Sequence, residues 1–139
     1  MALYFLNLRY LISTSVWWLS FERADACDLP YDDKSFDVVI IANALHIIPD
    51  SEIVLSEIRR VLRHDGLLIA PNFVHDNSNK ISNFFSKALS LAGVVFEAEW
   101  DAKGYVSFIN ENGFEVKRAK QLPSTIPLVY TECKIADGR

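Results

Sequence analysis

Apolar positions follow two rhythms along this chain, and the two rhythms separate strands from helices. Residues 36–42 (FDVVIIA) are a nearly unbroken apolar run rich in β-branched side chains. A run without a polar face predicts a strand in a parallel sheet, covered by helices on both sides. After Pro49 and Asp50 the period changes. Ile53, Val54, Ile58, Val61 and Leu62 fall on one stripe of a helix. Asp50 is placed to cap its free amides, and Glu52 to meet the positive end of its dipole. Arg59, Arg60, Arg63 and His64 gather at the far end, where cations are favoured, and Gly66 reads as a left-handed stop. Residues 67–70 (LLIA) predict a second buried strand, so strand, helix and strand form a right-handed βαβ unit.

The same reading extends outward. Residues 21–24 are a short strand candidate, and 25–35 (DACDLPYDDKS) are a polar loop. Residues 72–80 are a polar stretch. A helix follows, with Ile81, Phe84, Phe85, Ala88, Leu89 and Ala92 on one face, ending at Gly93. A shorter helix over 101–112 buries Tyr105, Phe108 and Ile109 and stops at Gly113. Residues 114–119 and 128–135 predict two strands, joined through Pro123 and Pro127 and paired antiparallel.

Composition narrows the class. One domain at most fits 139 residues, and a hydrophobic content of 50% is ample for a core. The net charge of -4, with acids and bases interspersed, carries no nucleic-acid footprint. Cys27 and Cys133 stand far apart, outside any CxxC pattern, and read as reduced thiols in a cytoplasmic protein. Residues 1–20 form an atypical apolar segment. Arg9 interrupts the run, and Trp17 and Trp18 stand where a signal peptide would have small residues, so the segment reads as buried or edge-covering and no membrane partner is expected.

The stretch ADACDLPYDDKSFDVVIIANALHIIPD, followed by LSEIRRVLRHDGLLIAPNF and the tail NGFEVKRAKQLPSTIPLVYTECK, resembles class I S-adenosylmethionine-dependent methyltransferases of the small-molecule type. The resemblance covers the family's C-terminal portion only, over residues 21–136. It implies an α/β, partial Rossmann-like fold with parallel strands and a C-terminal antiparallel pair. It also implies methyl transfer from S-adenosyl-L-methionine to a small-molecule acceptor. Asp25 corresponds to the acid that accepts from the adenine amino group, with the Ala26 or Cys27 amide facing a ring nitrogen. Adenine presents a donor beside an acceptor, and a carboxylate with an N–H answers both. On the residues alone, Asp25 reads first as the acid that ends a strand, and the adenine role comes from the resemblance.

By the same resemblance Asn43 and Ala44 border the methionine part of the cofactor, at the carboxyl end of a strand where open α/β sheets bind ligands. His46 is a substrate-side candidate that could take a proton. A packing histidine is the competing reading, because methyl transfer depends mainly on proximity and in-line orientation. His75 and Tyr105 are further substrate-side candidates, set against a solvated loop and an aromatic core pair with Trp100. Asp28, Asp32 and Asp33 match no metal-loop spacing, and no metal is expected.

The family's glycine-rich turn does not occur. The glycines stand at 66, 93, 104, 113 and 138, none in a GxG pattern, and the acid that holds the ribose has no counterpart. Two readings stay open: a truncated or split domain, or a shortened chain whose first residues are not the family's. A non-catalytic remnant that packs against a partner is the alternative to an enzyme. Binding of the cofactor by this chain alone is expected to be weak or absent. The family's sheet order, 3-2-1-4-5-7-6, would leave the strand at 36–42 without its neighbour. Residues 1–20, a second copy or a partner chain are expected to cover that edge.

Overall fold

The computed structural model describes residues 2–11, 16–75, 98–122 and 127–137, with backbone pairing only for 2–11 and 16–21. The helix expected over 81–92 and most of the proline-containing connection lie outside these residues. Seven strands are described: β1 (Ala2–Leu11), β2 (Val16–Asp25), β3 (Phe36–Ile40), β4 (Leu62–Ile69), β5 (Asn72–Phe73), β6 (Phe114–Leu122) and β7 (Leu128–Ile135). Two α-helices join them, α1 (Ser51–Val61) and α2 (Ala102–Glu111), with a 3-10 turn at Leu45–Ile47.

β3, β4 and β7 lie side by side, β6 flanks β7, and β5 continues the β4 side of β7. β3 and β4 run parallel, while β7 is antiparallel to β4, β5 and β6. This is the half-sheet expected from the sequence, with its terminal antiparallel pair. The core lies where α1 and α2 meet the sheet. α1 contributes Val54, Leu55, Ile58 and Val61, and α2 contributes Tyr105 and Ile109. Leu68 of β4 and the alternating Val129, Thr131 and Cys133 of β7 face them, as the two-residue period of a strand requires. Full burial of each such aliphatic side chain stabilises the fold by roughly 1.5–3 kcal/mol.

Several local expectations are corrected. Among the described strands β3 is hydrogen-bonded to β4 alone, the edge position that the sheet order implied, but its faces are not as expected. Val38 is 48% exposed and Ile40 65% exposed, so β3 is not covered on both sides. Ile53 also faces solvent, and Leu55 takes its place in the α1 stripe. Asp50 occupies the N-cap position without a side-chain cap bond. The helix ends at Val61, so Arg63 and His64 belong to β4. Gly66 is not a left-handed stop. Its value is space, since a Cβ there would stand 2.6 Å from Leu62 Cδ1. Among the described residues the left-handed glycine is Gly113, at φ 84°, where α2 turns into β6. Residues 16–20 continue the strand candidate at 21–24, and β2 pairs with β1 in a separate two-stranded sheet from Leu11↔Val16 to Ala2↔Asp25.

Candidate functional site

The loop between β2 and β3 carries the first group of candidates. Asp25 closes β2, and its carbonyl accepts from the Asp28 amide at 3.2 Å. Its Oδ1 accepts from the Cys27 amide at 3.0 Å. That bond holds the Asp25 carboxyl below the usual carboxylate range, against the opposing pull of desolvation. Ala26 is buried and Cys27 half-buried, and both pack on the core that also holds Leu45 and receives Ala44. The carboxylate and amide assigned to adenine therefore already face each other.

A clamp from α1 fixes this loop. Arg60 donates through Nη2 to Leu29 O at 2.9 Å and through Nη1 to Tyr31 O at 2.8 Å. Its Nε and Nη2 also grip both oxygens of Glu57, at 2.9 and 2.8 Å. Glu57 Oε2 in turn accepts from the Leu29 amide at 3.0 Å. The Arg60 bonds depress the Glu57 carboxyl, with desolvation acting against them. The planar guanidinium fork suits a carboxylate and carbonyls together. The place of Arg60 near the helix end predicts only a cation facing the dipole. The three-residue spacing of Glu57 and Arg60 was the available signal.

The second group sits at the carboxyl ends of β3 and β4. Asn43 turns the chain at φ 51°, a left-handed conformation that asparagine tolerates better than most residues. Its amide donates to Pro71 O at 2.8 Å. Its Oδ1 is buried and has no hydrogen-bond partner among the described residues. Ala44 O accepts from the Ile47 amide at 3.0 Å, closing the 3-10 turn that buries His46. His46 is 6% exposed, and its Nδ1 lies 2.9 Å from Asn72 Oδ1. The Phe73 ring meets the imidazole edge to face at 6.0 Å. Asn72, expected in a polar stretch, is 1% exposed because β5 pairs with β7 and turns it inward.

Residues 98–100 link these groups to a third. The Ala98 amide donates to His46 O at 3.3 Å, and the His75 amide to Trp100 O at 2.7 Å. An open cavity of 340 Å³ lies here, lined by His75, Glu99, Trp100, Asp101 and Gly104. Tyr105 is fully buried and donates to Ala70 O at 2.9 Å, with its hydroxyl pKa pushed up by desolvation. Trp100, 5.6 Å from the Tyr105 ring and stacked at 4.4 Å on Phe108, is the aromatic that reaches the cavity. Asp101 is engaged as the N-cap of α2, accepting from the Gly104 amide at 2.6 Å. Among the described residues no three His, Cys, Asp or Glu side chains gather as a metal site requires, and no helix is long and apolar enough to cross a membrane.

Comparison with known proteins bears on the sequence and the fold. Residues 7–70 match the sequence model of a family described as a methyltransferase domain, so the match reaches into the apolar N-terminal segment. A demethylmenaquinone methyltransferase of Lactobacillus johnsonii is 48% identical over 48 residues, which are 34% of this chain and 20% of that protein. A 27-O-demethylrifamycin SV methyltransferase of Amycolatopsis mediterranei is 48% identical over 54 residues, 39% of this chain and 20% of that protein. The matched stretch is thus about a fifth of each relative. A Burkholderia thailandensis 1,6-didemethyltoxoflavin-N1-methyltransferase, solved with 1,6-didemethyltoxoflavin and S-adenosylhomocysteine, superposes with a TM-score of 0.64 at 16% identity. It covers 82% of this chain and 49% of that one. Residues 7–70 are thus similar to a methyltransferase domain, and the fold is similar to a partial Rossmann-like methyltransferase fold.

Proposed function

We propose that this chain is the carboxyl-terminal part of an S-adenosylmethionine-dependent methyltransferase for a small-molecule acceptor, in a truncated or split form. The single observation that carries the reading is Asn43 Oδ1, a buried acceptor without a partner among the described residues, at the carboxyl end of a parallel strand. An orphaned buried carbonyl costs about 1–3 kcal/mol, and an ammonium such as that of the cofactor's methionyl group would relieve it. Asp25 with the Ala26 or Cys27 amide would hold the adenine, the Cys27 N–H exchanging its present bond to Asp25 Oδ1 if it is the donor; Asn43 and Ala44 would border the methionyl part, and His46 and His75 would lie toward the acceptor. The cofactor supplies an electrophilic methyl group. The chain's own residues orient and exclude water. The glycine turn that grips the rest of the cofactor would come from another segment or polypeptide, in a cytoplasmic setting.

A second reading has its own observation. The exposed apolar edge at Val38 and Ile40 favours a non-catalytic remnant that packs against a partner. An amide-resolved NMR titration with S-adenosylmethionine separates the two. Weak binding, with a dissociation constant of about 1 mM or more, about -4 kcal/mol, and shifts confined to residues 25–27 and 43–46 are expected of the first. A low-micromolar constant would overturn the truncated form. No shift at either group at saturating cofactor would overturn the site itself.

A further inference from the structure

The loop that carries the proposed adenine residues is fastened to α1 by more than the side chains of the clamp. A helix ends with carbonyls that have no partner inside it. In α1, Arg60 O accepts from the Lys34 amide at 2.9 Å, and Val61 O accepts from the Ser35 amide at 2.8 Å. Lys34 reaches that place at φ 54°, a left-handed conformation that a lysine adopts at a cost. The loop therefore supplies amides to the helix end, while the Arg60 guanidinium supplies donors to the carbonyls of Leu29 and Tyr31. Glu57 completes the exchange by accepting from the Leu29 amide. One charged pair thus holds both backbone groups of Leu29, whose side chain is 5% exposed. The turn from Asp25 to Asp28 is built differently. Its closing bond, from the Asp28 amide to Asp25 O, is 3.2 Å long and joins two exposed residues. Water competes for such a bond, and its net worth is small. Ala26 adds one buried methyl group. A turn closed so weakly takes its geometry from its two ends. One end is β2, and the other is Leu29.

We infer that Glu57 and Arg60 are positioning residues of the adenine side, which fix the directions of the Asp25 carboxylate and the Cys27 amide through Leu29 without touching the ligand. The fork of Arg60 spans two carbonyls and both oxygens of Glu57. A lysine keeps the charge, but one ammonium on a flexible stem does not span that set. Without the fork the turn samples further conformations, and a site that is competent in only a fraction of them loses affinity by that fraction. The loss of adenine affinity rests on the methyltransferase reading. The ordering of the turn does not, and the two can fail separately.

The test begins with ¹⁵N relaxation of the whole chain without ligand. Wild-type residues 25–28 are expected to be as rigid as the β6–β7 ladder. Arg60→Lys should lower the order parameters at 25–28 and leave the ladder as it was. Adenosine is then titrated and followed at the amides of 25–27. The initial slope of shift against concentration should fall roughly tenfold in Arg60→Lys, the equivalent of about one charged hydrogen bond. The slope for methionine, read at 43–46, should stay unchanged. If Arg60→Lys does not fold, Glu57→Gln carries the same test with a smaller expected loss, because it keeps the side chain's shape and removes only its charge. Unchanged order at 25–28 in the variants would overturn the inference. So would an unchanged adenosine slope in a variant whose turn has loosened, since the pair would then serve the fold alone. Absence of adenosine shifts at 25–27 in the wild type would remove the adenine reading, and the relaxation data alone would then decide whether the pair positions the turn.

Discussion

The two edges of the main sheet are finished differently. β6 ends the sheet on one side with Lys117, Arg118 and Lys120 exposed along its length, and Arg118 pairs with Glu132 across the ladder. Charged side chains on an edge discourage further strand addition. β3 ends the sheet on the other side with Val38 and Ile40 exposed, and Asp37, bound to Arg63, is its one charge. The β6 side is closed by its own sequence. The β3 side has the composition of an interior strand in an edge position. In the sheet order that the resemblance implies, three further strands lie beyond it, and an apolar strand in this position is what such neighbours would require.

The strongest effect should come from the strand between the edges. Leu68 is fully buried in β4, paired with β3 on one side and β7 on the other. Leu68→Ala should cost about 2–5 kcal/mol, the range for a leucine truncated inside a packed core. Urea unfolding followed by circular dichroism reads the loss directly. A cost under about 1 kcal/mol would mean that β4 is not the centre of the fold.

A smaller and more local effect belongs to the loop that leads into β3. Glu57→Gln removes the charge that Arg60 and the Leu29 amide share. Amide exchange at Leu29 should accelerate roughly tenfold, the equivalent of about one charged hydrogen bond, while the β6–β7 ladder keeps its protection. The sign with pH is fixed. A carboxyl depressed below its ordinary value of 4.5 adds stability that is complete above that value and is lost as the pH falls through the depressed one. The wild type and Glu57→Gln should therefore differ at neutral pH and converge in acid. Equal exchange at pH 7 would show that the clamp does not hold the loop.

What the sequence made legible follows the same division. The βαβ unit and the terminal strand pair were readable because β-branched runs and a helical stripe are local signals. The failures came where a residue's role depends on a distant partner. Ile40 read as buried because its own run has no polar face, but burial depends on a neighbouring strand. Asn72 read as part of a solvated stretch, because nothing local says that β5 will pair with β7. Arg60 read as a dipole partner, since the carbonyls of Leu29 and Tyr31 are fixed by loop geometry rather than composition. Asn43, Ala44 and His46 could be placed on one strand end from spacing and resemblance. The orphaned Oδ1 and the contact of His46 with Asn72 depend on packing between distant segments.

The smallest effect on stability is predicted for Ile40→Lys, and it tests the open edge most directly. Ile40 is 65% exposed, so the substitution removes little burial. Its side chain stands at the carboxyl end of β3, paired through the backbone with Ile69, and a lysine can keep that pairing while its ammonium reaches water. Stability should change by no more than about 0.5 kcal/mol, as for other surface substitutions. Association should change far more. Two copies meeting edge to edge at β3 would bury Val38 and Ile40 against each other, and a charge at that seam makes the contact unfavourable. The wild-type chain is therefore expected to show concentration-dependent association by analytical ultracentrifugation, and Ile40→Lys to shift it toward the monomer. Lys120→Ile on the opposite edge should do the reverse and add a sticky strand where there was none. A loss of more than about 2 kcal/mol for Ile40→Lys, a size that surface changes do not reach, would mean that the residue is covered within its own chain. Residues 1–20 would then be the first segment to delete, because β1 pairs with β2 as far as Asp25 and removing it would also loosen the proposed adenine acid.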